Sequence, residues 1–457
     1  MLKMFYIRRF QKTHTTLKLL IMHKKNALKI FLFVAIATIF ACSSSEDNNG
    51  DGGNGGNDGP TSLIVTASSL FVDFGTEVTF TVKTNEGTIV TGEAIVLVNG
   101  SPITGNAYNS PDTGEYAVTA TYEALTSSAI TVNVIPVLES ISIETANAVY
   151  NLGDRVEYLV VGTDNNGGTT TLTSASTIFV ENAESVTGNI IIPGVTGTIE
   201  AYATFNEFTS DAITVTIEDN ASTPGSFTKK ALIEDYTGTW CGWCPRVSYG
   251  IEQVEAATEN AVVVAVHAGD VMSTSYGNQL IGTYNPSGSY PTAIINRTSE
   301  WNYPEPSNVA QVTNLATGTL GTGVAINSAV KGSNLSFIVS AGFAENMPGT
   351  KLVVLLLEDG LTYDQDNYTD YYNGVDVLED FVHDNVLRYS FTSVLGDAIP
   401  GGETVANNTY HAKYDYEIPA NIFENAANVE IVAMLVSSNN QLINVNSINV
   451  GSFADFN

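Results

Sequence analysis

The stretch "IEDYTGTWCGWCPR", residues 233–246, carries two of the three cysteines in the chain. A Cys-x-x-Cys pair supports three chemistries: a dithiol that exchanges with other disulfides, half of a tetrahedral metal site, or a static clip. A structural zinc site takes about four ligands. Here no second cysteine pair exists, and His267, His383 and His411 do not cluster in sequence. No metal is therefore expected, nor any organic cofactor. A static disulfide stays open, because exported cysteines oxidise readily.

The choice depends on which elements hold the pair. "KKALIEDY" (229–236) reads as a buried strand ending just before the cysteines. From Cys244 to about Glu259 the apolar residues Val247, Ile251 and Val254 fall at i, i+4 and i+7, a helical stripe. "AVVVAVHAGD" (261–270) is a continuous apolar run, the mark of a central parallel strand. The result is a βαβ unit with cysteines at the start of its helix. The partial positive charge of a helix N-terminus favours thiolate over thiol, so Cys241 is expected as an accessible nucleophile and Cys244 as the resolving thiol. Pro245 suits a first helical turn, whose N–H groups have no intrahelical partner.

More than the cysteines matches the thioredoxin superfamily. "YPTAIINR" (290–297) resembles that family's cis-proline and following strand, and Asp235 stands six residues before Cys241. The resemblance covers 227 to about 318. It implies a buried carboxylate, Asp235 with Glu234 as the open alternative, that moves the proton of Cys244, and a substrate strand docked at Tyr290 and Pro291. The combination of "EDYTGTWCGWCP", "VHAGD", "YPT" and "HDNVLR" (383–388) resembles the outer-membrane-protein-28-related lipoproteins over 227–457. That likeness implies an envelope location but no defined substrate. The Gly-Trp pair between the cysteines differs from the Gly-Pro of typical thioredoxins, which leaves the direction of electron flow open.

Around this unit the composition is that of a folded multidomain protein: 457 residues, 44% hydrophobic and 14% charged. Residues 1–41 hold eight of the 18 basic residues and none of the 48 acidic ones, so the remainder carries a net charge of −38. Such a surface repels phosphate backbones, and nucleic-acid binding is not expected. From Met22 a basic stretch precedes an apolar run, Ile30 to Phe40, ending in "IFAC". This reads as a signal peptide over 1–41, with Met22 the expected true start. The motif resembles the lipobox of bacterial lipoproteins, which implies lipid attachment at Cys42 and an outer-membrane location with the facing leaflet open. Residues 42–60, rich in Gly, Asn and Asp, read as a flexible tether.

"ATYEALTSSAITV" (120–132) and "ATFNEFTSDAITV" (203–215) repeat at a spacing of 83 residues. Short alternating runs between turn residues predict two β-sandwiches, 61–136 and 137–219, that look like bacterial immunoglobulin-like domains. Beyond residue 321, seven apolar runs predict a third, C-terminal β-sandwich over 321–457, and "NASTPGS" (220–226) reads as a linker before the cysteine-bearing unit. The acidic, tyrosine-rich stretch 358–376 lacks the calcium-loop spacing and reads as a solvated loop, although its tyrosines could contact a partner. His267 and His383 read as structural, with a place at the active-site surface open to His267. The expected fold is thus multidomain: two immunoglobulin-like sandwiches, a thioredoxin-like α/β domain (227–318) and a C-terminal sandwich. The expected function is thiol–disulfide exchange on exported or envelope proteins. A surface binding or adhesion protein that uses the same fold as a platform is the alternative.

Overall fold

A computed structural model describes residues 60–181 and 186–456. The expected signal peptide, Cys42 and the tether up to residue 59 lie outside the described residues.

Each repeat folds into two facing sheets. In the first, Leu63–Ala67, Val78–Thr84 and Ala107–Tyr108 form one sheet, while Phe71–Asp73, Ile130–Ile135, Gly114–Tyr122 and Ile95–Val98 build the other. Alternation explains the packing: Val78, Phe80 and Val82 point into the core, and the threonines between them do not. The second repeat has the same plan around Tyr158, Val160, Ala201 and Ala203. In both, a short strand pairs in parallel with the last long strand. Ile135 and the Phe71 ring, 6.4 Å from Phe205, join the two sandwiches.

The second half is organised by one large sheet. Its strands and helices are β1 (Ala231–Thr237), α1 (Pro245–Ala257), β2 (Ala261–His267), α2 (Ser275–Tyr284), β3 (Thr292–Ile295), β4 (Thr322–Lys331), β5 (Asn334–Phe343), β6 (Lys351–Glu358), β7 (Leu361–Asp366), β8 (Val377–His383), β9 (Val386–Ser390), β10 (Asn408–Glu417), β11 (Val429–Val436) and β12 (Leu442–Asn449). Strands β1 and β2 are parallel, with Ala231 opposite Ala261 and Thr237 opposite His267. From Ser299–Glu300 at one edge the sheet runs β3-β1-β2-β9-β6-β11-β12. A second sheet, β10-β5-β4, closes with Phe453–Ala454.

This corrects the expected division between 227–318 and 321–457. Two sheets face each other in this part of the chain, and one of them is the same sheet that carries β1 and β2. Alternate residues of β6 show why. Leu352, Val354 and Leu356 face the second sheet, whereas Val353, Leu355 and Leu357 pack with Leu232, Val264, Val266 and Leu280 of the cysteine-bearing unit. A strand buried on both faces ties both halves into one core. Helix α1 covers β1 and β2 through Val247, Ile251 and Val254 against Ala231, Ile233 and Val263, and α2 covers the opposite face through Leu280.

The linker 220–226 is bracketed by contacts between the second sandwich and β4–β5. Arg155 Nη1 donates to the Gly451 carbonyl at 2.9 Å, the Asn327 amide donates to the Gly153 carbonyl, and Ile190 and Ile192 pack on Ala329 and Ile338.

Candidate functional site

The disulfide closes the turn that feeds α1. The helix begins at Pro245, with Cys244 as its N-cap. Cys241 lies three residues earlier, where its N–H donates to the Gly238 carbonyl at 2.9 Å and its own carbonyl accepts from Cys244 N–H at 3.0 Å. The structure joins Cys241 to Cys244. The helix carries no acidic residue in its first turn to offset its dipole, so the field at Cys244 favours negative charge.

Strand alternation separates the two neighbouring carboxylates. Odd residues of β1 face α1 and even residues face α2, as their core partners show. Asp235 therefore lies on the α1 side, buried, with Oδ1 taking no hydrogen bond. Burial, reinforced by the charge of Glu305 and opposed by Arg246, pushes its carboxyl up to about 8. Arg246 itself is held by Glu305 at 2.5 Å. Glu234 faces the other way and pairs with Arg297, whose Nη2 and Nε donate to Oε1 at 2.7 and 3.0 Å. Both side chains are fully enclosed. Of the two carboxylates, Asp235 shares a face of β1 with the disulfide helix, and Glu234 does not.

The Tyr290–Pro291 peptide is cis and precedes β3. The Tyr290 ring meets Trp240 edge-on at 5.3 Å, and Trp240 Nε1 donates to the Ala268 carbonyl at 2.7 Å. Trp240 and Trp243 are about half exposed, at 47% and 52%, and stand on either side of Cys241. Asp270 fixes the approach loop, since its Oδ2 accepts from Thr239 N–H at 3.0 Å and lies 2.7 Å from His267 Nδ1. Burial opposes ionisation of Asp270, but His267 and the N–H groups of Thr239 and Met272 outweigh it and hold the carboxyl below its usual range.

One expectation fails. Cys241 is not accessible; it is 4% exposed, and Cys244 1%. The cover is the stretch read as a solvated loop. Strands β7 and β8 form a hairpin whose connection crosses the cysteines as a strap. Gln365 Nε2 donates to the carbonyls of Cys241 (3.1 Å) and Gly238 (3.3 Å). Asp366 N–H donates to Thr239 O at 2.8 Å, and Tyr368 N–H to Gly242 O at 2.6 Å. Tyr371 stacks on Tyr249 of α1 at 4.5 Å, and Tyr372 OH donates to Glu252 at 2.7 Å. Tyr371 and Tyr372 of this stretch pack within the chain, against α1. Most of these contacts are to backbone, so they leave little trace in residue type. The small Gly242 between the cysteines is the one signal, because a Cβ there would run into the Tyr368 ring.

That contact yields a prediction. Gly242→Ala should push the strap outward and speed reduction of the disulfide by dithiothreitol about tenfold, equivalent to roughly 1.4 kcal/mol of closed-strap stability. An unchanged rate would show that the strap does not limit access.

His267, His383 and Asp235 also come together around one cavity, although the two histidines stand far apart in sequence. Among the described residues, no group of three or more His, Cys, Asp or Glu side chains has the arrangement of a metal site. No described helix is long and apolar enough to cross a membrane.

Comparison with known proteins gives one family and several distant structures. The family described as "Outer membrane protein Omp28" matches residues 277–453, a span that begins after the cysteines. No curated protein matches the chain. Among solved structures, HBP35 of Porphyromonas gingivalis is 18% identical, with a TM-score of 0.40, over 50% of this chain and 77% of its own. The surface layer protein SbsC, domains 4–9, is 13% identical, with a TM-score of 0.16, over 86% of this chain and 65% of its own. The D0–D1 domain of Intimin is 12% identical, with a TM-score of 0.16, over 34% of this chain and 97% of its own. The match to an outer-membrane family over residues 277–453 locates the protein in the outer membrane or cell envelope.

Proposed function

We propose that the unit from β1 to β3 is a thioredoxin-like module and that the protein exchanges disulfides with exported or envelope proteins. The observation that carries this reading is the placement of Asp235. A buried carboxyl without a partner for Oδ1 lies on the face of β1 covered by the helix that the disulfide opens. Parallel β1 and β2, the helix between them and the cis peptide before β3 support the same reading.

In the exchange, the Cys241 thiolate attacks a substrate disulfide. A Cys241–substrate S–S bond forms while the substrate bond breaks, and the departing thiolate takes a proton from water. Where Asp235 is ionised, as pH approaches and passes about 8, Cys244 gives its proton to the carboxylate and attacks Cys241 Sγ. This closes the Cys241–Cys244 bond and releases the second substrate sulfur, so two electrons pass to the substrate. The reverse sequence oxidises a substrate dithiol. Tyr290 and Pro291 border the position where a substrate strand would lie, beside Trp240.

Trapping tests the proposal. Cys244→Ser should accumulate mixed disulfides with envelope proteins through Cys241, whereas Cys241→Ser should trap few or none. Equal, slow alkylation of both reduced thiols with no trapped species would reject it. The burial of Cys241 beneath the strap favours the second reading, a binding or adhesion protein whose disulfide is a static clip. That reading predicts a reduction-resistant bond and loss of stability when either cysteine is replaced.

We also propose lipid attachment at Cys42, on the strength of "IFAC" after the apolar run. Cys42→Ser should release the protein from membrane fractions or block its maturation; unchanged attachment would refute it.

A further inference from the structure

Beneath the β7–β8 hairpin, against α1 and the ends of β1 and β2, lies a cavity of about 90 Å³ lined by Asp235, Thr237, Ser248, His267, Gln365 and His383. One water needs roughly 10–15 Å³ and two to four polar partners, so the space is roomy and polar enough for several. Two of its lining residues each carry a buried polar atom that takes no hydrogen bond from the protein: Asp235 Oδ1 and His383 Nε2. Their side chains belong to residues 3% and 7% exposed. Orphaned buried groups of this kind cost free energy unless water satisfies them.

We propose that this cavity is a water site linking Asp235 to His383, and that His383 is thereby a positioning residue that sets the pH at which Asp235 exchanges its proton with the dithiol. The inference rests on the exchange reading above and adds to it a residue from the other half of the large sheet.

The chemistry of the two ends is complementary. Burial first, and then the neighbouring His267, push His383 down to about 4, against the Tyr363 backbone and Asp270. At neutral pH the ring is an uncharged imidazole. Its hydrogen bond goes to the Tyr363 backbone, leaving the Nε2 lone pair as an acceptor. Asp235, held protonated up to about 8, offers an O–H. A water accepting from Asp235 and donating to His383 completes both. Hydrogen bonding to the neutral carboxyl disfavours its ionisation, so His383 helps to keep Asp235 high.

Other titratable groups face the pair, among them Glu255, whose carboxyl burial and then Asp384 push up. On α1 stand Glu252, bonded to Tyr372, and Glu255. At the end of β2 is His267, paired with Asp270, its ring edge-on to His383 with centroids 5.2 Å apart. The turn after β8 brings Asp384. Glu305 and Arg246, paired with each other, act on Asp235 in opposite senses, the first raising and the second lowering its pKa.

The experiment uses the full reduced chain and 5,5′-dithiobis(2-nitrobenzoate). Each of two phases releases one thionitrobenzoate, first as Cys241 attacks and then as Cys244 resolves. In His383→Gln the first phase should stay within about twofold of wild type. The pH midpoint of the second should fall by about one unit, because an amide N–H can donate to the carboxylate. A purely structural role for His383 moves no midpoint, so an intact second phase with an unchanged midpoint overturns the proposal and leaves the exchange reading standing. Absence of any second phase in the wild type overturns both. A readout that does not depend on the variant folding is the ¹⁵N resonance of His383 Nε2. It should report the Nδ1–H tautomer and shift in Asp235→Asn, and insensitivity to that substitution also overturns the link.

Discussion

Asp235→Asn should make the folded protein more stable at neutral pH, by about 4 kcal/mol, and by almost nothing at pH 3. The sign follows from linkage. Below about 3.9 the carboxyl is neutral in both folded and unfolded chains, so Asn and Asp behave alike. As pH rises from there towards 8, the unfolded chain ionises Asp235 while burial keeps the folded one protonated. The folded state binds more protons, and its stability falls across that window. Asn lacks this slope. The gain should therefore appear above pH 4, grow with pH and level off above 8. All three tryptophans of the chain, Trp240, Trp243 and Trp301, lie in the cysteine-bearing unit. Denaturant unfolding followed by their fluorescence reads this region selectively. Equal midpoints of variant and wild type at pH 7 would show that Asp235 is ionised and satisfied in the fold.

The adjacent residue behaves in the opposite way. Arg297→Met should destabilise the same transition by about 3–5 kcal/mol, since it strands the enclosed Glu234 carboxylate without its partner. It also removes the bond from Nη1 to the Val394 carbonyl, which ties the end of β3 to the segment after β9. Pairing Arg297→Met with Glu234→Gln should recover much of the loss, because the cost lies in the unpaired charge and not in the missing attraction. A single variant within about 1 kcal/mol of wild type would contradict this account of the pair. Two carboxylates one residue apart thus give opposite responses, set only by which face of β1 each occupies.

That contrast marks how far the sequence could be read. "KKALIEDY" is apolar enough to announce a buried strand, yet a strand buried on both faces gives no clue to which carboxylate points where. The stripe Val247, Ile251, Val254 marks α1 and its buried face, because helical spacing is a local property. The repeat likewise declares its sandwiches through alternation such as Val78, Phe80 and Val82. What stays hidden is non-local. "KLVVLLLE" reads as a strand, but its neighbours on either side come from β9 and β11, and nothing in its composition names them. The strap is hidden for another reason. Its polar, acidic residues are those of a solvated loop, and its grip on the cysteines runs mainly through backbone N–H and carbonyl groups that every residue possesses. His383 and Asp235 meet only because β8 folds back over α1.

The strap also orders events in time. Gln365 is 124 residues from Cys241 along the chain. A polypeptide is made, and exported, from its N-terminus, and its N-terminal domains fold first. The two cysteines therefore enter an oxidising compartment on a chain whose covering hairpin has not yet arrived. For that interval the pair is open to the cell's own oxidants and to any neighbouring thiol. Arrival of residues 361–383 ends it. Once folded, the strap covers both sulfurs, so exchange by the finished protein needs residues 361–383 to lift first.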